Sequence, residues 1–335
     1  MDVVKTRQAY REHLSGYQRR DFEVVDYQMH ELEGTRLRFR GPAPADLASG
    51  RYFTCIGAAQ TFGCFCEQPF PKLLADKLGI PALNLGYGGA GPEFFERHES
   101  LDKYINGGRF VMLQVMSGRS QSNSQFECRG LEYLVRRSDG LAINSQTAYH
   151  DFLFNVPVLR GSSFGAATPR VQRVLRRVFP RLILPRVFAG SKVRRLVEET
   201  RRAWVESHKR FLSRIEVPVI LFWFSKRQPA YAENFRDVES LFGEFPQLVN
   251  PEMLDQVRPL CDGYVECTTQ RGSPQPLKSR FTGEPVTVDT ALDRADFSCK
   301  WTHNLYYPSP EMHVDAAESL YSTCASLLEN PKVAS

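Results

Sequence analysis

Tyr52-Phe53-Thr54-Cys55-Ile56-Gly57, running on into Ala58-Ala59-Gln60-Thr61-Phe62-Gly63, is the stretch on which the fold turns. Its aromatic and β-branched residues ending on glycine predict a strand. The small residues after it predict a tight turn, and Phe70 to Leu78 has the spacing of a helix. The same unit recurs. Pro81-Ala82-Leu83-Asn84-Leu85-Gly86 reads as a short buried strand stopped by Tyr87-Gly88-Gly89-Ala90-Gly91, after which Pro92-Glu93 opens a helix, because proline is tolerated in a first turn. Phe110-Val111-Met112-Leu113-Gln114-Val115 then leads into Met116-Ser117-Gly118-Arg119-Ser120-Gln121-Ser122-Asn123. Three successive strand-to-polar-loop units predict a parallel sheet, whose ligands gather at the carboxyl ends of its strands.

Further along, a helix from about Lys192 to Arg214 feeds Val217-Pro218-Val219-Ile220-Leu221-Phe222-Trp223-Phe224, apolar enough throughout for a central parallel strand. Asn250 to Val257 reads as helix and Gly263-Tyr264-Val265-Glu266-Cys267 as a fifth strand. Thr268 to Lys300, rich in Gly, Pro, Ser and Thr, reads as loops with a hairpin. Ser309 as N-cap, Pro310 and Glu311 open a closing helix that runs through Leu328. The expected architecture is a three-layer α/β/α domain with a mainly parallel, flavodoxin-like central sheet over residues 51–335. Residues 1–50 form an arm of helix and irregular chain that wraps the core, and a basic helical insertion lies at about 150–192.

Apolar residues make up 42% of the 335 and charged residues 24%, which is the globular range. Aliphatic runs are strand-length, so no transmembrane helix is expected. Met1-Asp2-Val3-Val4-Lys5-Thr6-Arg7 lacks the apolar core of a secretory signal, which predicts cytoplasmic residence. Eight cysteines are spread too thinly for a disulfide framework, and Cys64-x-Cys66 with the distant His303 and His313 lacks structural-zinc spacing. Neither metal nor cofactor is expected. The net charge of +5 hides an asymmetry, because Arg160 to Arg195 holds ten cations and no acid, leaving the rest net negative. Arg170 to Ile183 has helical amphipathic spacing, bounded by Pro180 and Pro185. That segment points to an anionic membrane surface through Arg170–Arg195, or to an acidic glycan, as partner. Nucleic acid is disfavoured because no recognition module accompanies the arginines, and no phosphate-binding loop with its lysine is present.

Candidate site residues follow from the strand ends. The Gly57 turn is either a clash-avoiding connection or a cradle of amides, to which Ala59, Gln60 and Thr61 belong. Gly86 and Gly89 could offer backbone donors. Ser117, Ser120 and Asn123 either cap the loop or touch a ligand, and Arg119 at a strand end could hold a sulfate, phosphate or carboxylate. His313, in the first turn of the last helix, is either a satisfied structural histidine or a neutral base.

In this order, the Gly57–Gly63 run, the Asn84-Leu85-Gly86 strand end, the Ser117–Asn123 loop and His313 resemble the blocks of the SGNH hydrolases. The resemblance implies that family's fold and an oxyanion-type site made from Gly86 and Asn123, with His313 as base. It also exposes departures. Ala59 stands where the family's serine nucleophile would be, and a methyl group cannot be acylated. Pro310 occupies the position of the acid three residues before the histidine, while Glu311 and Asp315 lie about 200° around the helix from His313. With Phe39-Arg40-Gly41-Pro42, Gln68-Pro69-Phe70-Pro71 and Tyr306-Tyr307-Pro308-Ser309-Pro310-Glu311-Met312-His313, the chain also resembles a bacterial family of domains of unknown function, numbered 6473. Two readings stay open. One is an acyl or sulfuryl transferase, or an altered esterase, acting on a carbohydrate or other hydroxyl-bearing substrate, with His313, Asn123, Gly86 and Thr61 catalytic. The other is a catalytically inactive module that binds a glycan or a protein.

Overall fold

A computed structural model describes residues 14, 16–154, 184–230, 234–235, 237–290 and 299–329. The helix expected over Arg170 to Ile183 lies outside these residues. Five strands, β1 (Phe53–Gly57), β2 (Ala82–Gly86), β3 (Val111–Gln114), β4 (Val219–Ser225) and β5 (Gly263–Thr268), form one parallel sheet in the order β2-β1-β3-β4-β5. This is the doubly wound order, with its switch point between β1 and β3. Register follows from hydrophobicity on both faces: Ile56 pairs with Leu85 on one side and Leu113 on the other, and every residue of β1, β3 and β4 is buried.

The period of two divides the strands' side chains between two cores. Phe53, Cys55, Met112, Ile220, Phe222 and Phe224 pack on one face against two helices, Phe70–Leu78 and Pro310–Glu329. The latter turns Met312, Ala316, Ala317, Leu320 and Cys324 inward at helical spacing. Ile56, Leu83, Leu85, Val111, Leu113, Leu221 and Trp223 face the other way, onto Pro92–Arg97, Pro251–Val257 and the long helix Leu184–Leu212. Two helical layers thus sandwich the sheet, as the sequence predicts.

The long helix starts at Leu184 instead of about Lys192. Pro185 falls in its first turn, where a missing N–H breaks no intrahelical bond. A small antiparallel sheet of Phe126–Glu127, Tyr133–Arg136 and Ala142–Asn144, with the helix Ser145–Phe154 after it, was not legible from the sequence. It covers a third core, built around Leu134, Tyr149, Val193 and Val197. In the amino-terminal segment, Gly16–Asp21 is helical, and Val25, Tyr27 and Phe39 are buried. The eight cysteines are free thiols. Among the described residues no helix is long and apolar enough to cross a membrane.

Candidate functional site

At the switch point the chain leaves β1 through Ala58 into the single helical turn Ala59–Phe62, and leaves β3 into the Ser117–Asn123 loop. Gly57 is required there because a Cβ would run into Thr61 Oγ1 and the Gln114 side chain. Gln114 Oε1 accepts from Thr61 Oγ1 at 2.7 Å and from the Ala58 amide at 3.1 Å, which ties the turn to the neighbouring strand. The β3 loop is held from below by Glu93. Its carboxylate accepts from the Ser122 amide and hydroxyl, both at 2.8 Å, and Ser120 Oγ donates to Gly89 O at 2.9 Å.

Between these two strand ends lies a crevice of about 30 Å³ lined by Ala58, Ala59, Gln60, Gly89, Ser117, Arg119 and Ser120, and by Tyr17, Glu132, Phe245, Gln247, Tyr306 and Tyr307. It adjoins a pocket of about 250 Å³ beside Lys226 and Leu305 and another of about 450 Å³ beside Gln146 and Glu239. Gln247 and Tyr306 border all three. Asn304 fixes the tyrosine pair, its Oδ1 accepting from the amides of Tyr306 at 3.2 Å and Tyr307 at 2.9 Å. Tyr306 OH accepts from Gln247 Nε2 at 3.1 Å and Arg119 Nη2 at 3.3 Å. Behind it Tyr17, from the amino-terminal helix, meets Tyr307 edge-on at 6.2 Å, and the Arg20 guanidinium lies 4.5 Å over Tyr17. Burial pushes both phenols, Tyr17 and Tyr307, well above their ordinary range, so they stay neutral at physiological pH.

Of the residues expected to bind substrate, Ala59, Gln60, Gly89, Ser117, Arg119 and Ser120 line this crevice, whereas Gly57 faces Thr61 and Gln114. The four residues expected to be catalytic do not line it, and each has a physical reason. His313 is fully buried, its Nδ1 accepting from the Phe70 amide at 3.1 Å and its ring stacked on Phe70 at 6.0 Å, with Phe224 at 5.5 Å. Burial, with a contribution from Arg40, pushes its pKa down to about 3. Asn123 spends its oxygen on the Gln125 and Phe126 amides and its nitrogen on Thr200 Oγ1 at 3.0 Å. The Gly86 amide donates to Asn84 Oδ1 at 2.9 Å, and the Thr61 hydroxyl donates to Gln114. In the structure these four residues brace the loops and turns around them. Glu311 and Asp315 do not reach His313 as partners either; Asp315 pairs instead with Arg271.

Tyr17, Glu132, Phe245, Gln247, Tyr306 and Tyr307 were missed. Tyr306-Tyr307 was visible as a pair of aromatics before a proline, and exposed aromatics beside a strand-end loop are a usable signal. Gln247 carries no such signal. A larger cavity, about 990 Å³, lies between the amino-terminal segment and Phe70–Leu78 and shares no lining residue with the crevice. Its buried Arg40 already donates to Phe62 O, Gly63 O and Glu67 O. The crevice, in contrast, holds buried polar atoms without protein partners: Gln60 Oε1, Gln247 Oε1 and Arg119 Nε. Among the described residues no group of three or more His, Cys, Asp or Glu side chains has metal-binding geometry.

A family model described as a domain of unknown function, DUF6473, matches residues 16–154 and 181–327. No curated protein matches the sequence. Among solved structures, the chain is similar to a carbohydrate esterase family 2 enzyme with its carbohydrate-binding domain from Corynascus thermopiles (Myceliophthora fergusii), at 13% identity and a TM-score of 0.36, covering 86% of this chain and 68% of that one. An acetyl xylan esterase from the rumen bacterium Butyrivibrio proteoclasticus is 10% identical at a TM-score of 0.36, covering 88% and 67%. A gut microbial diltiazem-metabolizing enzyme is 9% identical at a TM-score of 0.32, and the match spans 65% of this chain and 37% of that protein.

Proposed function

The chain belongs to the DUF6473 family of domains of unknown function, and from that premise we propose that it is a binding module for a hydroxyl-bearing carbohydrate, with the strand-end crevice and the two pockets that adjoin it as its site and no turnover there. One observation carries the proposal: Gln60 Oε1, Gln247 Oε1 and Arg119 Nε are buried, lack protein partners and border one crevice beside the Ala59 methyl. Burying polar groups unpaired costs roughly 1–3 kcal/mol each, so a site that keeps three of them together is arranged for a ligand with matching donors and acceptors. A sugar hydroxyl supplies both. Tyr306, 37% exposed between the two larger pockets, offers a flat amphipathic face to a pyranose ring.

The transferase and altered-esterase readings needed a base at the crevice, and His313 is enclosed by Phe70 and Phe224 instead. Ala59 supplies no nucleophile, and the Ser120 hydroxyl is engaged with Gly89. The same proposal keeps residues 51–335 as one cytoplasmic domain with an arm over 1–50 and a basic insertion at about 150–192. The cations of Arg170–Arg195 support peripheral contact with an anionic membrane surface.

Tyr306→Ala is expected to weaken binding to the best ligand of a glycan array at least tenfold, measured by calorimetric titration. Unfolding stability should change by less than about 2 kcal/mol, because more than a third of the residue is exposed. Equal affinity in wild type and variant, or no glycan bound by either, would overturn the proposal.

A further inference from the structure

We infer that the ligand of the crevice carries a single acidic substituent, a carboxylate or a sulfate ester, and that Arg119 receives it. The inference rests on the binding reading above and names the chemistry recognised.

Two other guanidinium groups, those of Arg40 and Arg227, are filled by backbone carbonyls. Arg40 donates to three, and Arg227 places Nη2 on Pro246 O at 2.7 Å and Val249 O at 2.8 Å. Arg119 differs. Its side chain is 13% exposed, and its hydrogen-bonding contacts are confined to Nη2, which touches Tyr306 OH at 3.3 Å and Glu132 Oε1 at 3.2 Å, both at the long end of the range. Its Nε is buried and faces no protein acceptor. A buried cation with open donors is costly unless an anion completes it.

Two amides stand beside it. Gln60 is 3% and Gln247 4% exposed, each with an oxygen lacking a partner. An amide can turn either end toward a ligand, so the pair can accept from a hydroxyl or donate to an oxyanion. Glu132 is the group that an incoming anion would displace. It is 40% exposed and sits at the rim, so moving it into water costs little. The larger adjoining pocket is walled by Glu239 and Glu244. Those carboxylates disfavour a densely charged polymer while leaving the Arg119 position open to one acidic group, which is why the inference specifies one.

The test uses neutral, uronate-bearing and sulfated members of the same glycan backbones, arrayed and then titrated by calorimetry against the full chain, Arg119→Gln and Glu132→Gln. Wild type should bind one acidic form at least tenfold more tightly than its neutral counterpart. The better of the two forms shows whether the planar carboxylate or the tetrahedral sulfate is the natural group. Arg119→Gln should abolish the preference, bringing acidic and neutral affinities to within threefold of each other, and Glu132→Gln should strengthen acidic binding severalfold. If Arg119→Gln does not fold, Arg119→Lys serves, since it keeps the charge without the planar fork and should lose most of the preference. Equal binding of neutral and acidic forms by wild type, or a preference that survives the loss of Arg119, overturns this inference and leaves the binding reading intact. Failure of every form to bind overturns both.

Discussion

Lowering the pH from 7.5 to 5 is expected to cost the folded protein about 4 kcal/mol through two histidines, His208 and His313. Both are fully buried and held neutral. Burial pushes His208 down to about 4, opposed only by a bond between its Nδ1 and Trp204 O at 3.0 Å, and His313 down to about 3. Unfolded, each returns to its ordinary value near 6.5 and binds a proton as the pH falls. The folded state does not, so the unfolded state binds more protons and stability declines with acidification. The loss begins near pH 6.5, the unfolded value, and amounts to about 2 kcal/mol per histidine at pH 5. Against a total of about 5–15 kcal/mol for a typical domain this is large. Denaturant titrations at the two pH values measure it. His313→Gln, whose side-chain oxygen can still accept from the Phe70 amide, should remove about half of the pH dependence whatever it does to stability at pH 7.5. Buried Asp21, with its carboxyl raised, acts with the opposite sign, so the comparison of slopes between wild type and variant isolates the histidine. An unchanged slope would show that His313 is accessible and protonates in the folded state.

Gly86→Ala is expected to destabilise the protein by about 3 kcal/mol, the upper end for an overpacked site. A Cβ at Gly86 would stand 2.7 Å from the Phe62 Cα and the Thr61 carbonyl carbon, and closer still to the Phe62 nitrogen. These are backbone atoms of the turn that carries Ala59 and Gln60, so relief requires moving that turn away from the sheet. Binding should fall together with stability. Gly263→Ala in the same sheet is the control: its Cβ would meet Thr323 Cγ2 at 3.4 Å, ordinary contact, and the change should stay well under 1 kcal/mol. Equal effects at the two positions would contradict the packing of the turn against β2.

The sheet was legible because its central strands are mostly apolar runs that end on glycine or polar residues. Half of the crevice was legible for the same reason, since Ala59, Gln60, Ser117, Arg119 and Ser120 sit directly after strand ends. The rest was not. Gln247 and Glu132 reach the crevice from segments whose local sequence says nothing about where tertiary packing will take them, and Tyr17 arrives from the amino-terminal helix. His313 is ambiguous in the sequence. A histidine in a first helical turn looks alike whether its ring faces a cleft or closes a core, and Phe70 and Phe224, which settle the matter, are remote in sequence. Asn123 is ambiguous in the same way, because an asparagine that caps its own loop occupies the same place in the sequence as an oxyanion donor.

The central claim is that this crevice holds a sugar without altering it. Proton NMR of an O-acetylated acidic oligosaccharide mixed with the protein reads both halves at once, through broadening of the ligand's lines and through its covalent integrity. The account predicts saturable broadening that is lost in Tyr306→Ala, with a ligand spectrum that stays unchanged over prolonged incubation in wild type and in Ala59→Ser. Free acetate or new chain-end signals growing in with wild-type protein, and absent with heat-denatured protein, would contradict it.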